Sequence, residues 1–559
     1  MMVSCNRKGE IPMKRMMMTG CALALAGALL AAPAAAYRDI PETSPLASEV
    51  ELAVNHGLMN GYDEETIGYG DAMTRAQFVT VLCRMLLPET ERETGHITPA
   101  MQVPQGSAQA YYASIDAAAE LGWVDTDVPF RPGAAITRGE MAEILVRALG
   151  LESATSARNS NSMIPSSGVT AFQDLPAGKE GYISVAYDIG LTKGTSATTF
   201  SPGATATRAQ AAAMLERIYE KLHRKTEFSH GFYAISSYSQ MDLAEELDAV
   251  SAGWSRMTWD GERALLATTS AHGNEFSVPA GYQEVAETLA GKGVCLNLSV
   301  FMDGKDLGAL LSSKQGRAQA VEQIANELTV SYKALGRNPY GGVTIDFEGL
   351  GRSSAADFSA FLTELSRQVR DLNKTLYVCV PPPSSAGGYD LKTIGALADK
   401  VILMAHDYDA RSLSGYVGSD AHQDQATVPL GRVYQALRTT VEQVDPAKVV
   451  LALSARNVAW EIDGAGKLVS SQPVAVSGDT VARRLSQPDT KRGWDPEAQQ
   501  SWASYTTEEG KRYFLWYQDG ESVRLELQTA RLLDVTGVSL WRLGTIPQYE
   551  NWTWSASVK

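Results

Sequence analysis

The chain has 559 residues, a formal net charge of -15 and 44% hydrophobic residues, and its length suggests roughly three or four domains. The negative charge argues against nucleic acid or an anionic membrane surface as a partner. The seven histidines show no metal-ligand spacing such as HExxH, so we predict neither a metal nor another cofactor.

The first 36 residues are predicted to form a signal peptide. The basic pair Lys14 and Arg15 precedes an apolar run that ends at Ala34–Ala35–Ala36, a suitable cleavage site. Met13 fits this pattern well as the first residue of the natural chain. Because the run is short for a membrane-spanning anchor, we expect export without membrane attachment after cleavage. The remaining cysteines are interpreted as buried small hydrophobic side chains rather than catalytic thiols: Cys83, Cys295 and Cys379.

A three-copy repeat occupies the region before residue 220. Its copies contain AMTRAQFVTVLCRML at 72–86, AITRGEMAEILVRAL at 135–149 and TATRAQAAAMLERIY at 205–219. In each copy a threonine suits the helix N-cap, and a glutamine or glutamate three residues later completes a capping box. The pairs are Thr74 with Gln77, Thr137 with Glu140 and Thr207 with Gln210. Each copy is therefore predicted to begin an amphipathic helix.

An arginine follows each of these threonines: Arg75, Arg138 and Arg208. A cation at the positive end of a helix is slightly unfavourable, so capping alone does not require it. Two interpretations stay open. The arginines are solvated surface charges, or they contact an anion or an acidic glycan.

The repeats resemble the S-layer homology repeat, which has a Thr-Arg-Ala-Glu-like tetrad after a glycine-containing turn. The matching stretches are NGYDEETIGYGDAMTRAQ, WVDTDVPFRPGAAITRGE and LTKGTSATTFSPGATATRAQ. On this resemblance the repeats are assigned to residues 37–87, 107–150 and 170–220. The resemblance implies a helical module that binds secondary cell-wall polysaccharide or a peptidoglycan-linked glycan, and hence attachment to the bacterial cell surface. The three arginines are then candidate glycan contacts.

The second half of the chain alternates strand-like runs with amphipathic helix patterns such as 355–372 and 521–533. The runs are GFYAI, VSAGW, GVCLNLSVF, GGVTIDFE, TLYVCVPP, KVILMAHDY, KVVLALSA and TGVSLWRLG. A count near eight favours a parallel (β/α)8 TIM barrel over the alternative of a doubly wound open sheet. The predicted fold class is therefore a helical repeat module joined to an α/β barrel at residues 228–559.

Asp346 and Glu348 end the run GGVTIDFE, and because side chains alternate along a strand, both carboxylates face the same side. In a barrel, functional residues lie at the carboxyl ends of the strands. Asp407 ends another run and Trp541 ends a third. Acids beside an aromatic face suit a sugar site, because tryptophan stacks on pyranose rings and carboxylates act on the glycosidic oxygen.

This half resembles glycoside hydrolase family 18, whose signature strand reads D-G-x-D-x-D-x-E. Gly342, Asp346 and Glu348 match that signature, whereas Gly341 and Thr344 replace its first two aspartates. The Met-x-Tyr-Asp element of the family is present as MAHD. The stretches FSHGFYAISSY and SAGWSRMTWD are similar to the bacterial cell-wall and spore-cortex branch of the family.

The resemblance implies retaining hydrolysis of β-1,4 bonds in a glycan that contains N-acetylglucosamine, assisted by the substrate itself. Glu348 would protonate the leaving oxygen, and the 2-acetamido oxygen of the sugar would attack the anomeric carbon. Asp346 would orient that acetamido group and raise the pKa of Glu348. The other candidate substrate-binding residues are Asp407, His406, Tyr408, Trp541, Tyr233 and Thr344.

Two other interpretations of the carboxylates stay open. They have a structural role, paired with a basic residue such as Arg542. Or the barrel binds a glycan as a lectin and does not cleave it, in which case the loss of a carboxylate at Thr344 is relevant.

Overall fold

The computed structural model describes residues 37–88, 111–155, 172–271, 275–549 and 552–553. The predicted signal peptide at 1–36 and the first residues of the second and third repeats lie outside this set. Within it, the chain forms two compact units that divide between Arg224 and Lys225. None of the helices in these ranges has both the length and the hydropathy that crossing a bilayer needs.

The first unit is helical in its described part. Its helices are α1 (Ala47–Asn55), α2 (Arg75–Leu86), α3 (Tyr112–Glu120), α4 (Arg138–Ala148), α5 (Glu180–Asp188) and α6 (Arg208–Leu222), with a 3-10 helix at Glu152–Thr155. Helices α2, α4 and α6 begin directly after the predicted threonines. In each case the threonine hydroxyl accepts from the N–H three residues on, and that residue's side chain accepts from the threonine N–H. The three predicted capping boxes are confirmed.

Short antiparallel bridges join the three repeats to one another. The bridged pairs are Ala72 with Thr207, Thr74 with Ala135 and Thr137 with Thr205. Each bridge joins a different pair of repeats, so every repeat contacts both others and the module closes into a ring. His56, directly after α1, and Glu216 on α6 add a further link, with 2.8 Å between Nδ1 and Oε1.

The second unit contains a closed parallel barrel, which confirms the predicted fold class. The strands of the whole second unit are β1 (Phe228–Tyr233), β2 (Ala249–Trp259), β3 (Ala264–Ala267), β4 (Cys295–Met302), β5 (Gly342–Phe347), β6 (Thr375–Val380), β7 (Lys400–Leu403), β8 (Val449–Ser454), β9 (Asn457–Ile462), β10 (Val474–Val476), β11 (Lys491–Asp495), β12 (Gln500–Thr506), β13 (Arg512–Tyr517), β14 (Gly537–Trp541), β15 (Gln548–Tyr549) and β16 (Trp552–Thr553). The barrel order is β1-β2-β4-β5-β6-β7-β8-β14, and β14 pairs with β1 to close it. Each of the predicted runs overlaps one of these strands.

Helices cover the outside of the barrel between its strands. They are α7 (Met241–Ala244), α8 (Tyr282–Gly291), α9 (Gly304–Ser312), α10 (Lys314–Glu327), α11 (Ala355–Asp371), α12 (Leu391–Leu397), α13 (Leu430–Val441) and α15 (Gly520–Leu532), with 3-10 helices at Ile235–Gln240, Arg352–Ser354 and Pro446–Lys448. Helix α14 (Gly478–Leu485) and the 3-10 helix Ala421–Asp424 pack instead against strands β9 and β13. The two helices predicted in this half are present as α11 and α15, one residue from the predicted bounds.

An antiparallel sheet that was not predicted is inserted between β8 and β14. Its strand order is β10-β9-β13-β12-β11. Trp460 and Trp516 are fully buried on one of its faces, so this insertion has a hydrophobic core of its own.

Candidate active site

Three neighbouring strands place Arg256, Phe301 and Asp346 in one row near the carboxyl end of the barrel. The register pairs Arg256 of β2 with Phe301 of β4, and Phe301 with Asp346 of β5. Paired residues in adjacent parallel strands point to the same side of the sheet. Glu348 follows β5, and its N–H donates to the carbonyl of Met302 at 2.9 Å. The ends of β4 and β5 are therefore held together where the two predicted carboxylates lie.

Asp346 is a buried carboxyl, with 3% of its surface exposed. Its Oδ1 has no hydrogen-bond partner among the described residues, while the Cys379 thiol on β6 hydrogen-bonds the side chain. Burial and the charge of Glu348 raise the pKa of Asp346 to about 7, against a smaller lowering by Cys379. Asp346 therefore holds its proton more strongly than an ordinary aspartate, mainly because it is buried.

Glu348 is half-buried directly after β5. Burial raises the pKa of Glu348 and the charge of Asp303 raises it further, whereas His406 and Arg411 act in the opposite direction. The repulsion between the two predicted carboxylates raises mainly the pKa of Asp346, which is the more buried of the two groups. Both carboxyls hold their protons more strongly than in water, as a general acid at neutral pH requires.

Asp407 lies in a left-handed backbone conformation, with φ of 56°, shortly after β7. Its Oδ1 accepts from the Ser454 hydroxyl at 2.9 Å, and His406 Nδ1 lies 3.4 Å from the same oxygen. Burial opposes ionisation of Asp407, but His406, Ser454 and the charge of Arg456 outweigh it and hold the pKa of that carboxyl below its usual value. Because His406 and Asp407 also act on the pKa of Glu348, the MAHD element and the carboxylate strand belong to one site.

Trp541 ends β14 and contacts the interior of the barrel. Its ring centroid lies 4.9 Å from that of Phe232, with the planes at 70°, in the same buried cluster as Cys379. Tyr233, the predicted contact on β1, faces the other way, and its ring centroid lies 6.2 Å from the fully buried Trp254. The structure thus brings Phe232, rather than Tyr233, beside Trp541.

Tyr408 and Arg542 make their contacts outside the carboxylate cluster. The Tyr408 hydroxyl donates to the Arg432 carbonyl at 3.5 Å, and the guanidinium of Arg432 lies 4.1 Å from its ring centroid. Arg542 donates to the Ser236 hydroxyl at 3.0 Å. The interpretation in which Arg542 neutralises the paired carboxylates has no support in these contacts.

Thr344 belongs to a buried chain of uncharged side chains beneath Asp346. Its hydroxyl lies 2.6 Å from that of Ser251, and His230 bonds Ser251 through Nε2 and Ser539 through Nδ1, both at 2.7 Å. Burial lowers the pKa of His230 to about 3, so the chain is neutral across the physiological range. At the position of Thr344 the family signature has a carboxylate, whereas this barrel has a hydroxyl group that hydrogen-bonds the hydroxyl of Ser251.

Sequence reasoning missed Asp303, Arg256 and the contact of Cys379 with Asp346. Asp303 lies two positions after the predicted run GVCLNLSVF, so its place at the end of a strand was visible in the sequence, whereas its position next to the β5 carboxylates was not. Among the described residues, no group of three or more histidine, cysteine, aspartate or glutamate side chains could hold a metal ion.

The three arginines of the repeat tetrads reach across to the loops of neighbouring repeats. Arg75 donates to the carbonyl of Phe130 at 3.2 Å and pairs with Glu140. Arg138 donates to the carbonyl of Phe200 at 3.1 Å. Their donors are thus engaged within the module, which differs from the interpretation as solvated surface charges.

Arg208 is the most deeply placed of the three, with 4% of its surface exposed. It donates to the carbonyls of Ile67 and Asn60, each at 2.8 Å, and lies 4.6 Å from the ring centroid of Tyr62. The carbonyl groups supply the negative partners that an arginine at a helix N-terminus otherwise lacks.

Replacing Arg208 with alanine is expected to lower the free energy of unfolding of the helical module by roughly 2–4 kcal/mol, because two carbonyls lose a charged donor. Arg38→Ala is the matched control. Arg38 pairs with Glu65 but is 76% exposed, and it should change the free energy by less than about 1 kcal/mol. Native-state hydrogen exchange of the α6 amides measures both effects, and equal protection in the two variants would contradict the structural role of Arg208.

Comparison with known families matches both units. Residues 292–545 match the description "Glycosyl hydrolases family 18". Residues 36–79, 105–142 and 171–212 match the S-layer homology domain.

Individual relatives are distant. The cortical fragment-lytic enzyme of Bacillus subtilis (strain 168) is 25% identical over 247 residues, which cover 41% of this chain and 52% of that protein. An S-layer protein of Bacillus thuringiensis subsp. finitimus is 26% identical over 193 residues, covering 34% of this chain and 22% of that protein. The chain therefore spans about half or less of the length of these relatives. The crystal structure of the Bacillus cereus spore cortex-lytic enzyme SleL is similar over 60% of this chain and 74% of that chain, with a TM-score of 0.47 and 17% identity.

Proposed function

Because this chain carries three S-layer homology repeats followed by a glycoside hydrolase family 18 domain, we propose that it is a glycosidase attached to the bacterial cell wall. Its substrate would be a glycan that contains N-acetylglucosamine, of the peptidoglycan or chitin type, cleaved at β-1,4 bonds with retention. The predicted signal peptide would export the protein, and the repeats would bind cell-wall polysaccharide.

Glu348 is the proposed proton donor for the leaving oxygen. Its raised pKa supports this role, because a carboxyl with the ordinary value is almost fully ionised at neutral pH. The acetamido oxygen of the sugar would be the nucleophile, so the reaction needs no protein nucleophile.

Asp346 is proposed to hold the acetamido group and to stabilise the positive charge that develops on it. The observation that carries this proposal is the buried Oδ1 of Asp346, which has no partner within the described residues. A buried carboxylate oxygen without a hydrogen bond is costly, and an amide N–H from a bound sugar would satisfy it.

The remaining candidate contacts are supported to different degrees. Asp407 and His406 lie with the carboxylates, and Trp541 offers an aromatic face beside Phe232. Tyr408 and Tyr233 contact other parts of the barrel, so direct binding through them has less support.

The experiment that tests the function is incubation of the purified mature protein with peptidoglycan and with chitin oligosaccharides, followed by mass spectrometry of the products. Cleavage next to an N-acetylglucosamine residue is expected. Retention can be read from the anomer that forms first, by NMR during the reaction.

A lectin is the second candidate, and Thr344 is the observation that favours it. At this position the family signature has a carboxylate, and this barrel has the Thr344 hydroxyl bonded to Ser251. In a lectin, Asp346 and Glu348 would serve binding alone, without a second carboxylate beneath Asp346. Binding of N-acetylglucosamine oligomers without any cleavage would support the lectin.

Residues 37–220 alone are expected to bind isolated cell walls, and residues 228–559 alone are expected to bind far more weakly. The reason is that the repeated module offers three similar surfaces, whereas the barrel offers one substrate site. Pull-down of each fragment with wall sacculi, quantified against the whole protein, measures the difference.

The control is circular dichroism of each fragment, which shows whether it has kept its secondary structure. Equal retention of two folded fragments would contradict the anchor role. Replacing Arg75, Arg138 and Arg208 together is expected to lower wall binding, and circular dichroism of that variant separates a direct glycan contact from loss of the folded surface.

A further inference from the structure

Asp303 is a further carboxylate at the end of the barrel where Asp346, Glu348 and Asp407 lie. It directly follows Met302, the last residue of β4, which the register pairs with Phe347 of β5. The N–H of Glu348 donates to the Met302 carbonyl at 2.9 Å. Asp303 and Glu348 are the next residues along these two strands, and the charge of Asp303 acts on Glu348.

Asp303 is positioned by an arginine rather than by the helix that it precedes. It occupies the N-cap position of α9, where an aspartate ordinarily accepts a hydrogen bond from the first turn, yet its side chain makes no such bond. Instead its Oδ1 accepts from Arg256 Nη2 at 2.9 Å. The side chain is directed to a partner on β2 at the cost of a helix cap.

Arg256 is itself held in place by two aromatic rings. Its guanidinium carbon lies 5.4 Å from the ring centroid of Phe301 and 5.7 Å from that of Phe276. The two rings are stacked, with centroids 5.1 Å apart and planes at 17°. Cation–π contacts and stacking fix the position of the guanidinium and, through it, the position of Asp303.

The electrostatic effect of this arrangement falls on Glu348. After burial, the charge of Asp303 is the largest influence that raises the pKa of Glu348. The other titratable and charged groups that interact with Glu348 come from β5, β6 and the loops after β6 and β7: Asp346, Cys379, Tyr389, His406, Asp407 and Arg411. Of these, His406 and Arg411 favour the ionised form of Glu348 and Asp407 favours the protonated form.

We propose that Asp303 is a positioning residue for the proton donor: its ionised carboxylate, fixed by Arg256, keeps the proton on Glu348 until the leaving oxygen takes it. This inference rests on the proposed function, since it concerns the same proton. In this proposal Asp303 acts through Glu348 and is not itself the proton donor. Arg256 sets the strength of the effect, because its charge partly cancels that of Asp303.

Opposite pH shifts in two variants test the proposal. Asp303→Asn removes a negative charge, so the basic limb of the pH profile of kcat/KM should move to lower pH by about 0.5–1 unit. Arg256→Gln keeps an N–H donor for Asp303 but removes the positive charge that partly cancels its carboxylate, so the same limb should move to higher pH. Asp303→Glu keeps the charge and should restore most of the wild-type profile. An unchanged limb in Asp303→Asn, or shifts of both variants in the same direction, would overturn the proposal.

Asp260→Asn is the matched control, because Asp260 lies in the exposed β2–β3 turn, where its Oδ1 accepts from the N–H groups of Glu262 and Arg263 at 2.9 and 2.7 Å, and asparagine keeps an oxygen that can accept both. It should leave the profile unchanged. A measurement without turnover separates this proposal from the proposed function: the carboxyl resonance of Glu348 in protein labelled with ¹³C-glutamate, assigned by its loss in Glu348→Gln. If the midpoint of that resonance falls in Asp303→Asn, Asp303 holds the proton on Glu348 whether or not the protein cleaves a glycan, and a failure of the proposed function is then a separate result. If the midpoint does not move, the proposal is wrong.

Discussion

Replacing Glu348 with glutamine is expected to lower turnover of an N-acetylglucosamine glycan by roughly 10²–10⁴-fold, the usual contribution of general acid catalysis. Glutamine keeps the size and most of the hydrogen bonding of the side chain but has no acidic proton to donate. Sugar binding should persist, because the backbone link to Met302 and the surrounding side chains are unchanged. The effect should therefore appear in kcat much more than in KM.

The measurement is the steady-state rate on chitin oligosaccharides or peptidoglycan fragments, combined with calorimetry of binding. Glu262→Gln is a suitable control, since Glu262 is an exposed residue in the β2–β3 turn, and it should retain full activity. Unchanged turnover in Glu348→Gln would contradict the proposed mechanism. A substrate with a free 2-amine or a 2-hydroxyl should not be cleaved, because it lacks the acetamido nucleophile.

Replacing Asp346 with asparagine is expected to have two opposite consequences. Turnover should fall by at least about 100-fold, because the charge that stabilises the oxazolinium-like intermediate is lost. The folded protein should become more stable at alkaline pH, by about 2–4 kcal/mol at pH 8, because asparagine removes a buried carboxyl that must ionise there.

The sign follows from the direction of the pKa shift. Folding raises the pKa of Asp346 from its ordinary value to about 7, so the folded state binds the proton more strongly than the unfolded state does. The stability associated with that proton is complete below about pH 4 and is lost as the pH rises towards 7. The asparagine variant has no such loss.

Unfolding in urea at pH 4 and at pH 8 measures the second consequence. The difference between Asp346→Asn and the wild type should be small at pH 4 and large at pH 8. Asp260→Asn, an exposed position, should show no gain at either pH. A stability difference that is the same at both pH values would indicate a change in packing rather than the removal of a buried charge.

Much of the fold could be predicted because its signals are local. The capping boxes at Thr74, Thr137 and Thr207 depend on residues three positions apart, and the barrel strands were recognised from short apolar runs. The inserted sheet was missed because its antiparallel strands 491–495, 500–506 and 512–517 follow one another without a helix, so the alternation of strand and helix that indicates the barrel does not extend to them. Two of its tryptophans were visible in the sequence, but only the fold shows that they share a core.

The part of the site that lies on a single strand was predicted. The part that depends on the register between neighbouring strands was missed. Asp346 and Glu348 are on one strand, so alternation alone places them on one face. The neighbour Asp303 depends on the register between β4 and β5, which no local pattern fixes. Tyr233 was predicted as a substrate contact, and the ring that lies beside Trp541 is that of the preceding residue, Phe232. In a strand, a difference of one position reverses the direction of the side chain.

The closure of the three repeats fixes their number. In an open solenoid each repeat contacts only its neighbours in sequence, and copies can be gained or lost at the ends. Here the third repeat is bonded to the first through Ala72 and Thr207 as well as to the second through Thr137 and Thr205, and Arg208 reaches back to Ile67. A fourth copy would have no unoccupied edge to join, and a two-copy version would leave edges without partners. Duplication of this gene segment can therefore add a second complete ring, whereas a gradual change in copy number would have to pass through forms that do not close.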